Sequence, residues 1–276
     1  MEATVSNFHY GAVTPVAAFL MACLGAALGL RCTTRAIRRG TKRAGWLALG
    51  AVSIGCGIWT MHFIAMAGFT IDGMSMKYDS GTTVLSLLVA IAVVAVGVFL
   101  VGFRGPGTVV LTTAGVFTGL GVAAMHYLGM AAMHAPGELR YSSLTVALSI
   151  LIAVVAATAA LWAAVSVHGL GASLGASLIM GVAVTGMHYT GMAAVDVPVD
   201  HHGAGTQSSA SMLSFLLVMV AGPLAALLMS AVIVMFDGDV ILGTDERNPR
   251  LAVPVPVAGR AVPGQDGPAF RHTPGV

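Results

Sequence analysis

The sequence predicts an all-α, polytopic membrane helix bundle of seven transmembrane helices, built as three two-helix repeats plus a seventh helix. Three observations carry that prediction. Of 276 residues, 57% are hydrophobic and 9% charged, whereas about a quarter of a soluble domain is charged, and the mean hydropathy is +0.90. Seven runs free of Asp, Glu, Lys and Arg are long enough to cross a hydrocarbon core about 30 Å thick, which takes about 20 apolar residues. One six-residue pattern recurs in the second, fourth and sixth of those runs.

Taken in order, an outer N-terminal segment (1–12) precedes runs at 13–30, 44–69, 83–102, 109–133, 144–167, 170–195 and 211–236. Many of the 35 glycines lie inside these runs, where membrane helices tolerate them. None alternates polar and apolar residues over about 10 positions, as barrel strands would. The first run is expected to stay in the mature protein, because residues 1–10 carry Glu2 and no Lys or Arg in place of the positive n-region of a signal peptide. Residues 237–276 are rich in Pro and Gly without periodicity, so this segment is expected to be a disordered tail and to contribute no soluble output domain.

Basic residues set the expected orientation. Arg31, Arg35, Arg38, Arg39, Lys42 and Arg43 fall between runs one and two, Arg104 between three and four, and Arg247, Arg250, Arg260 and Arg271 in the tail. The opposite side holds only Lys77 and Arg140, so eleven basic residues face two. The N-terminus is therefore expected outside and the tail in the cytoplasm, with the chain multi-pass in the cell membrane. A net charge of +2 is too small and too scattered for a nucleic-acid surface. Cys23, Cys32 and Cys56 all lie in or at the inner end of runs one and two, so no outer disulfide framework is expected.

The repeated pattern reads MHFIAM at 61–66, MHYLGM at 125–130 and MHYTGM at 187–192, with His-to-His spacings of 64 and 62 residues. A glycine stands seven positions before each His (Gly55, Gly119, Gly181) and a small residue three positions after it (Ala65, Gly129, Gly191). Small residues let helix backbones approach in lipid, so their shared phase predicts equivalent packing of the three motif helices. On a helix the methionine four places after His lies about 40° around the axis, and the preceding methionine about 100° away on the other side. Three such helices can converge His62, His126 and His188 with Met61, Met66, Met125, Met130, Met187 and Met192. Imidazole and thioether form a soft, neutral donor set that suits copper, Cu(I) above all; zinc more often recruits carboxylate or thiolate. Methionine also fills apolar gaps, and duplicated copies inherit residues they do not need. Against that stands the cost of three ionisable residues at one membrane depth, which marks a functional site. Tyr127 and Tyr189 offer hydroxyls to a ligand on the ion, although aromatics also gather at membrane interfaces and Phe63 holds the equivalent place without one. His9, His134, His201 and His202 fall on the motif side of the bundle, and His168 and His272 on the other.

With these motifs in three even-numbered spans, residues 8–236 resemble the MHYT domain, a bacterial seven-helix sensory module. Only the third copy spells MHYT in full; MHFI and MHYL depart at the fourth letter, and the first also at the third. The resemblance implies copper held by the motif Met and His residues and a sensed diatomic gas such as O2, CO or NO, with signalling through a cytoplasmic partner. Copper handling or transport is the alternative, and a haem or metal oxidoreductase the less favoured one, since no acid–base group accompanies the histidines and no catalytic residue is expected.

Overall fold

The computed structural model describes residues 5–6, 11–39, 42–71, 77–134, 140–167, 169–196 and 209–236. Its helices are α1 (Val13–Arg39), α2 (Arg43–Ala67), α3 (Ser80–Arg104), α4 (Thr108–Ala131), α5 (Ser143–Ser166), α6 (Leu170–Met192) and α7 (Ser209–Met235). All seven are long and apolar enough to cross a membrane, and the chain is a multi-pass membrane protein. Large apolar side chains such as Leu88, Leu151 and Ile179 are more than half exposed. In lipid that is the satisfied arrangement, because the helices have already closed their backbone hydrogen bonds internally.

Helix ends agree with the apolar runs to within about three residues, with one difference. The first run stops at residue 30, but α1 continues to Arg39 and carries Arg31 and Arg35 with it. Freedom from charge measures membrane depth and not helicity, and Arg is among the better helix formers. The basic segment expected as a loop is therefore mostly helical turns, and Lys42, with φ 53°, makes the turn into α2. The tail 237–276 lies outside the described residues.

Each repeat is closed by a two-residue antiparallel ladder, with strands too short to register as a sequence pattern. β1 (Val5–Ser6) pairs with β2 (Thr70–Ile71), β3 (Lys77–Tyr78) with β4 (Met133–His134), and β5 (Arg140–Tyr141) with β6 (Val195–Asp196). The strand entering a repeat thus pairs with the strand leaving its second helix, giving three β–α–α–β units whose ladders all sit at the motif end. The ladders also satisfy carbonyls past the helix ends: Asp79 N–H donates to Ala132 C=O (2.9 Å) and Ser142 N–H to Ala194 C=O (2.8 Å). Asp79 in turn caps α3, its carboxylate accepting from Thr82 N–H at 2.7 Å.

Neighbours in sequence pack in order from α1 to α6, and α6 returns to α1, so six helices close a ring. α7 lies outside it against α2 and α1. The closure is cyclic at the level of residues. A Cβ on Gly55 would stand 2.8 Å from Ile91 Cα on α3, one on Gly119 would run into the Val154 backbone on α5, and one on Gly181 would run into Cys23 on α1. Each glycine seven places before a motif His thus seats its helix against the first helix of the next repeat, and the third repeat wraps back onto the first. These three contacts make the packing of the motif helices equivalent.

Candidate functional site: a buried histidine triad

Because α2, α4 and α6 enter the ring in the same way, one residue from each meets on the pseudo-threefold axis. His62, His126 and His188 are each 1% exposed. Their Nδ1 atoms form a nearly equilateral triangle, 3.1 Å between His62 and His188, 3.2 Å between His62 and His126, and 3.3 Å between His126 and His188. The rings stand edge-on to one another like propeller blades, with interplanar angles of 78–90°. Among the described residues this is the one grouping of three or more His, Cys, Asp or Glu side chains close enough to share an ion.

Protons alone cannot satisfy such a triangle. The Nδ1 of a neutral imidazole is either a donor or an acceptor, so of three in mutual contact at least two must be alike, and that edge sets hydrogen against hydrogen or lone pair against lone pair. A cation at the centre takes all three lone pairs at once. The centre lies about 1.8 Å from each nitrogen on these distances, close to the roughly 2.0–2.1 Å of a metal–imidazole bond. The Nε2 atoms of all three rings are buried and have no hydrogen-bond partner, so with Nδ1 as the acceptor each ring directs its Nε2–H away from the axis into the surrounding helices. All six motif methionines are at most 2% exposed. Three neutral imidazole nitrogens at this spacing fit a weakly charged ion.

The small residue three places after each His explains how the rings come so close. The Nε2 edge of His62 occupies the space that a Cβ on Gly129 would fill, and that of His126 the space beside Gly191. His62 and His126 thus rest on the motif helix of the next repeat, and Ala65 holds the corresponding sequence place on α2.

The family model for the MHYT bacterial signalling protein N-terminal repeat matches residues 55–114 and 119–177. This chain is an MHYT-repeat protein. Both matched segments open at the glycine seven places before the motif His, the residue that seats the motif helix. The bifunctional diguanylate cyclase/cyclic di-GMP phosphodiesterase MucR of Pseudomonas aeruginosa is 42% identical over 168 residues, 59% of this chain and 24% of its own length. The cyclic di-GMP phosphodiesterase NbdA of the same organism is 35% identical over 228 residues, 80% of this chain and 29% of its own. The signaling protein YkoW of Bacillus subtilis is 31% identical over 186 residues, 63% and 23%. The chain thus spans under a third of the curated relatives it matches. No solved structure matches it.

In this MHYT bundle the residue after each His packs edge-on against the imidazole, at centroid distances of 4.8 Å for Phe63, 4.9 Å for Tyr127 and 5.0 Å for Tyr189. The Tyr127 hydroxyl is committed elsewhere: it lies 2.6 Å from Ser149 Oγ on α5, and since Ser149 donates to Val146 C=O, the tyrosine is the donor. Ser86 holds the same place in the preceding repeat. There the motif aromatic is Phe63, and Trp59, one turn earlier, supplies the donor instead, its Nε1–H reaching Ser86 Oγ at 2.9 Å. Both links tie a motif helix to the next repeat. Tyr127→Phe is accordingly expected to lower stability by about 0.6 kcal/mol, and by no more than about 1.7 kcal/mol, the range found for hydrogen bonds between membrane helices. Thermal unfolding in detergent measures this, and metal stoichiometry should not change.

Trp59, Ser86, Ser149 and the strand tyrosines were not singled out from the motifs. Tyr78 packs 6.1 Å from Phe63 and Tyr141 6.2 Å from Tyr127, centroid to centroid, and burial pushes both phenols up from their ordinary pKa. Their sequence signal is the pair KYDS at 77–80 and RYSS at 140–143, repeated at 63 residues. The backbone of His134 lies in β4 at this end of the bundle, while His9, His168, His201, His202 and His272 lie outside the described residues.

Proposed function

We propose that this chain is a sensor module that binds one copper ion, as Cu(I), through His62, His126 and His188 with motif methionines as soft additional donors, and that a diatomic gas (O2, CO or NO) is its stimulus. The Nδ1 triangle carries the reading: it is unsatisfiable by hydrogen bonds and sized for an ion. The ion supplies a binding centre for a small neutral ligand. The protein's own part is to hold three imidazoles in a water-poor setting, brace each on the next motif helix, and so couple the ion's surroundings to the angles between α2, α4 and α6. In the orientation that the basic residues favour, the triad faces the outside of the cytoplasmic membrane and the 237–276 tail the cytoplasm, where a signalling partner reads the bundle. Two relatives, a diguanylate cyclase/phosphodiesterase and a cyclic di-GMP phosphodiesterase, suggest cyclic di-GMP turnover as the pathway of that partner. Copper transport is less well supported, because among the described residues the cavity beneath the triad is lined by apolar side chains and two threonines, with no further imidazole, thiolate or carboxylate to pass an ion on.

Titration of the purified protein with Cu(I) under reducing conditions tests the reading. One equivalent per chain is expected, bound more tightly than Cu(II), which shifts preference toward nitrogen and oxygen donors. A protein that binds neither ion stoichiometrically would return the triad to a packing role.

A further inference from the structure

Below the triad the six-helix ring leaves a cavity of ≈ 60 Å³. Its walls repeat the order of the motifs. Ile58, Val122 and Val184 each stand four residues before a motif His, one helical turn away, and form the layer next to the imidazoles. Ile54, Thr118 and Met180, eight residues before, form the layer beneath. Met187, which precedes His188, reaches the cavity from above, and α5 contributes a wall of alanines that includes Ala157 and Ala160.

The chemistry of this wall selects its occupant. A buried water needs two to four polar partners. Of the two hydroxyls present, that of Thr118 is directed to Val93 C=O at 3.5 Å, and that of Thr33 has no partner within reach. Everything else is methyl, methylene or thioether. With the Thr118 proton directed to Val93, the Thr33 hydroxyl is the one free polar group in the wall, fewer than a buried water needs, and apolar cavities take up xenon or small hydrocarbons because dispersion contacts otherwise go unmade.

We propose that the cavity is a binding site for one small, uncharged, apolar molecule of a few heavy atoms, lying one helical turn beneath the histidines. It is a separate site from the ion's and stands whether or not the histidines hold a metal. Its wall includes the turns that precede each motif, so an occupant presses on the helices that set the triad's geometry.

Xenon is the probe. In protein labelled with ¹³C at the methionine methyls and held in lipid nanodiscs, Met180 and Met187 report the cavity, while Met229 and Met235, 60% and 68% exposed on α7, report xenon dissolved in lipid. Rising xenon pressure is expected to shift Met180 and Met187 saturably and Met229 and Met235 in proportion to pressure. Ala160→Leu fills the cavity and is expected to abolish the saturable shift at Met180; Ala157→Val does the same with a smaller addition should the first variant fold poorly. The proposal fails if Met180 responds in proportion to pressure as the lipid-facing methionines do, or if its saturable shift survives in a folded filling variant.

Discussion

Replacing His62, His126 and His188 together by alanine is expected to abolish stoichiometric Cu(I) binding, and replacing any one of them to weaken it more than about a hundredfold. Loss of partners that merely orient a ligand costs 10–100-fold in affinity, and here a nitrogen leaves the ion itself. Single motif methionines should cost less, since a thioether is a weak neutral donor and each histidine has two methionines in its own motif. The triangle also predicts how stability responds. Without metal the three Nδ1 atoms cannot all pair, but two can, one as donor and one as acceptor. A single His→Ala substitution therefore relieves a conflict even as it opens space, and the metal-free midpoint should move little. In contrast, the gain in Tm on adding Cu(I), which follows from ligand binding to the folded state alone, should disappear. Unfolding curves with and without Cu(I) separate the two effects. A folded triple variant that keeps stoichiometry and affinity would remove the metal from the reading.

How far the sequence led can be judged from particular residues. The seven spans were legible because crossing a bilayer demands an unbroken apolar run, and that demand leaves no alternative pattern. The continuation of α1 through Arg31 and Arg35 was not, since nothing about charge stops a helix once it has left the hydrocarbon. The convergence of three helices could be anticipated from Gly55, Gly119 and Gly181, which hold one phase. Which helix each of them meets could not, because a repeat specifies equivalent contacts without saying whether they run within a unit or on to the next. The atom that faces the axis was equally hidden: His at a helical position names a face, and the orientation of the ring, with Nδ1 inward and the Nε2 of His62 and His126 against Gly129 and Gly191, is set by packing on other helices. Trp59 is instructive in another way. Its indole replaces a hydroxyl lost at Phe63, so the contact to Ser86 persists while the residue making it moves by one turn, and position-by-position comparison of the repeats cannot see it.

Gly129→Ala and Gly191→Ala are expected to lower Cu(I) affinity by at least about tenfold each while leaving the bundle folded. A methyl at Gly129 would overlap His62 Nε2 and lie 2.9 Å from its Cδ2, and a methyl at Gly191 would overlap His126 Nε2. The imidazole must then turn or withdraw, and a ligand displaced by a fraction of an ångström no longer completes a site whose centre is only about 1.8 Å from each nitrogen, a little short of the roughly 2.0–2.1 Å bond. The two substitutions discriminate well because the ordinary consequence of Gly→Ala in a helix has the opposite sign, a gain of up to about 1 kcal/mol in helix stability. If these glycines served only to let helices approach, metal binding would be untouched. Ala65 supplies the internal control. It holds the same place on α2 and already carries the methyl, so Ala65→Gly removes a methyl where the other two substitutions add one and should leave affinity unchanged or raise it. Equal losses at all three positions, or none at Gly129 and Gly191, would show that the cyclic support of each histidine by the next motif helix does not set the geometry of the triad.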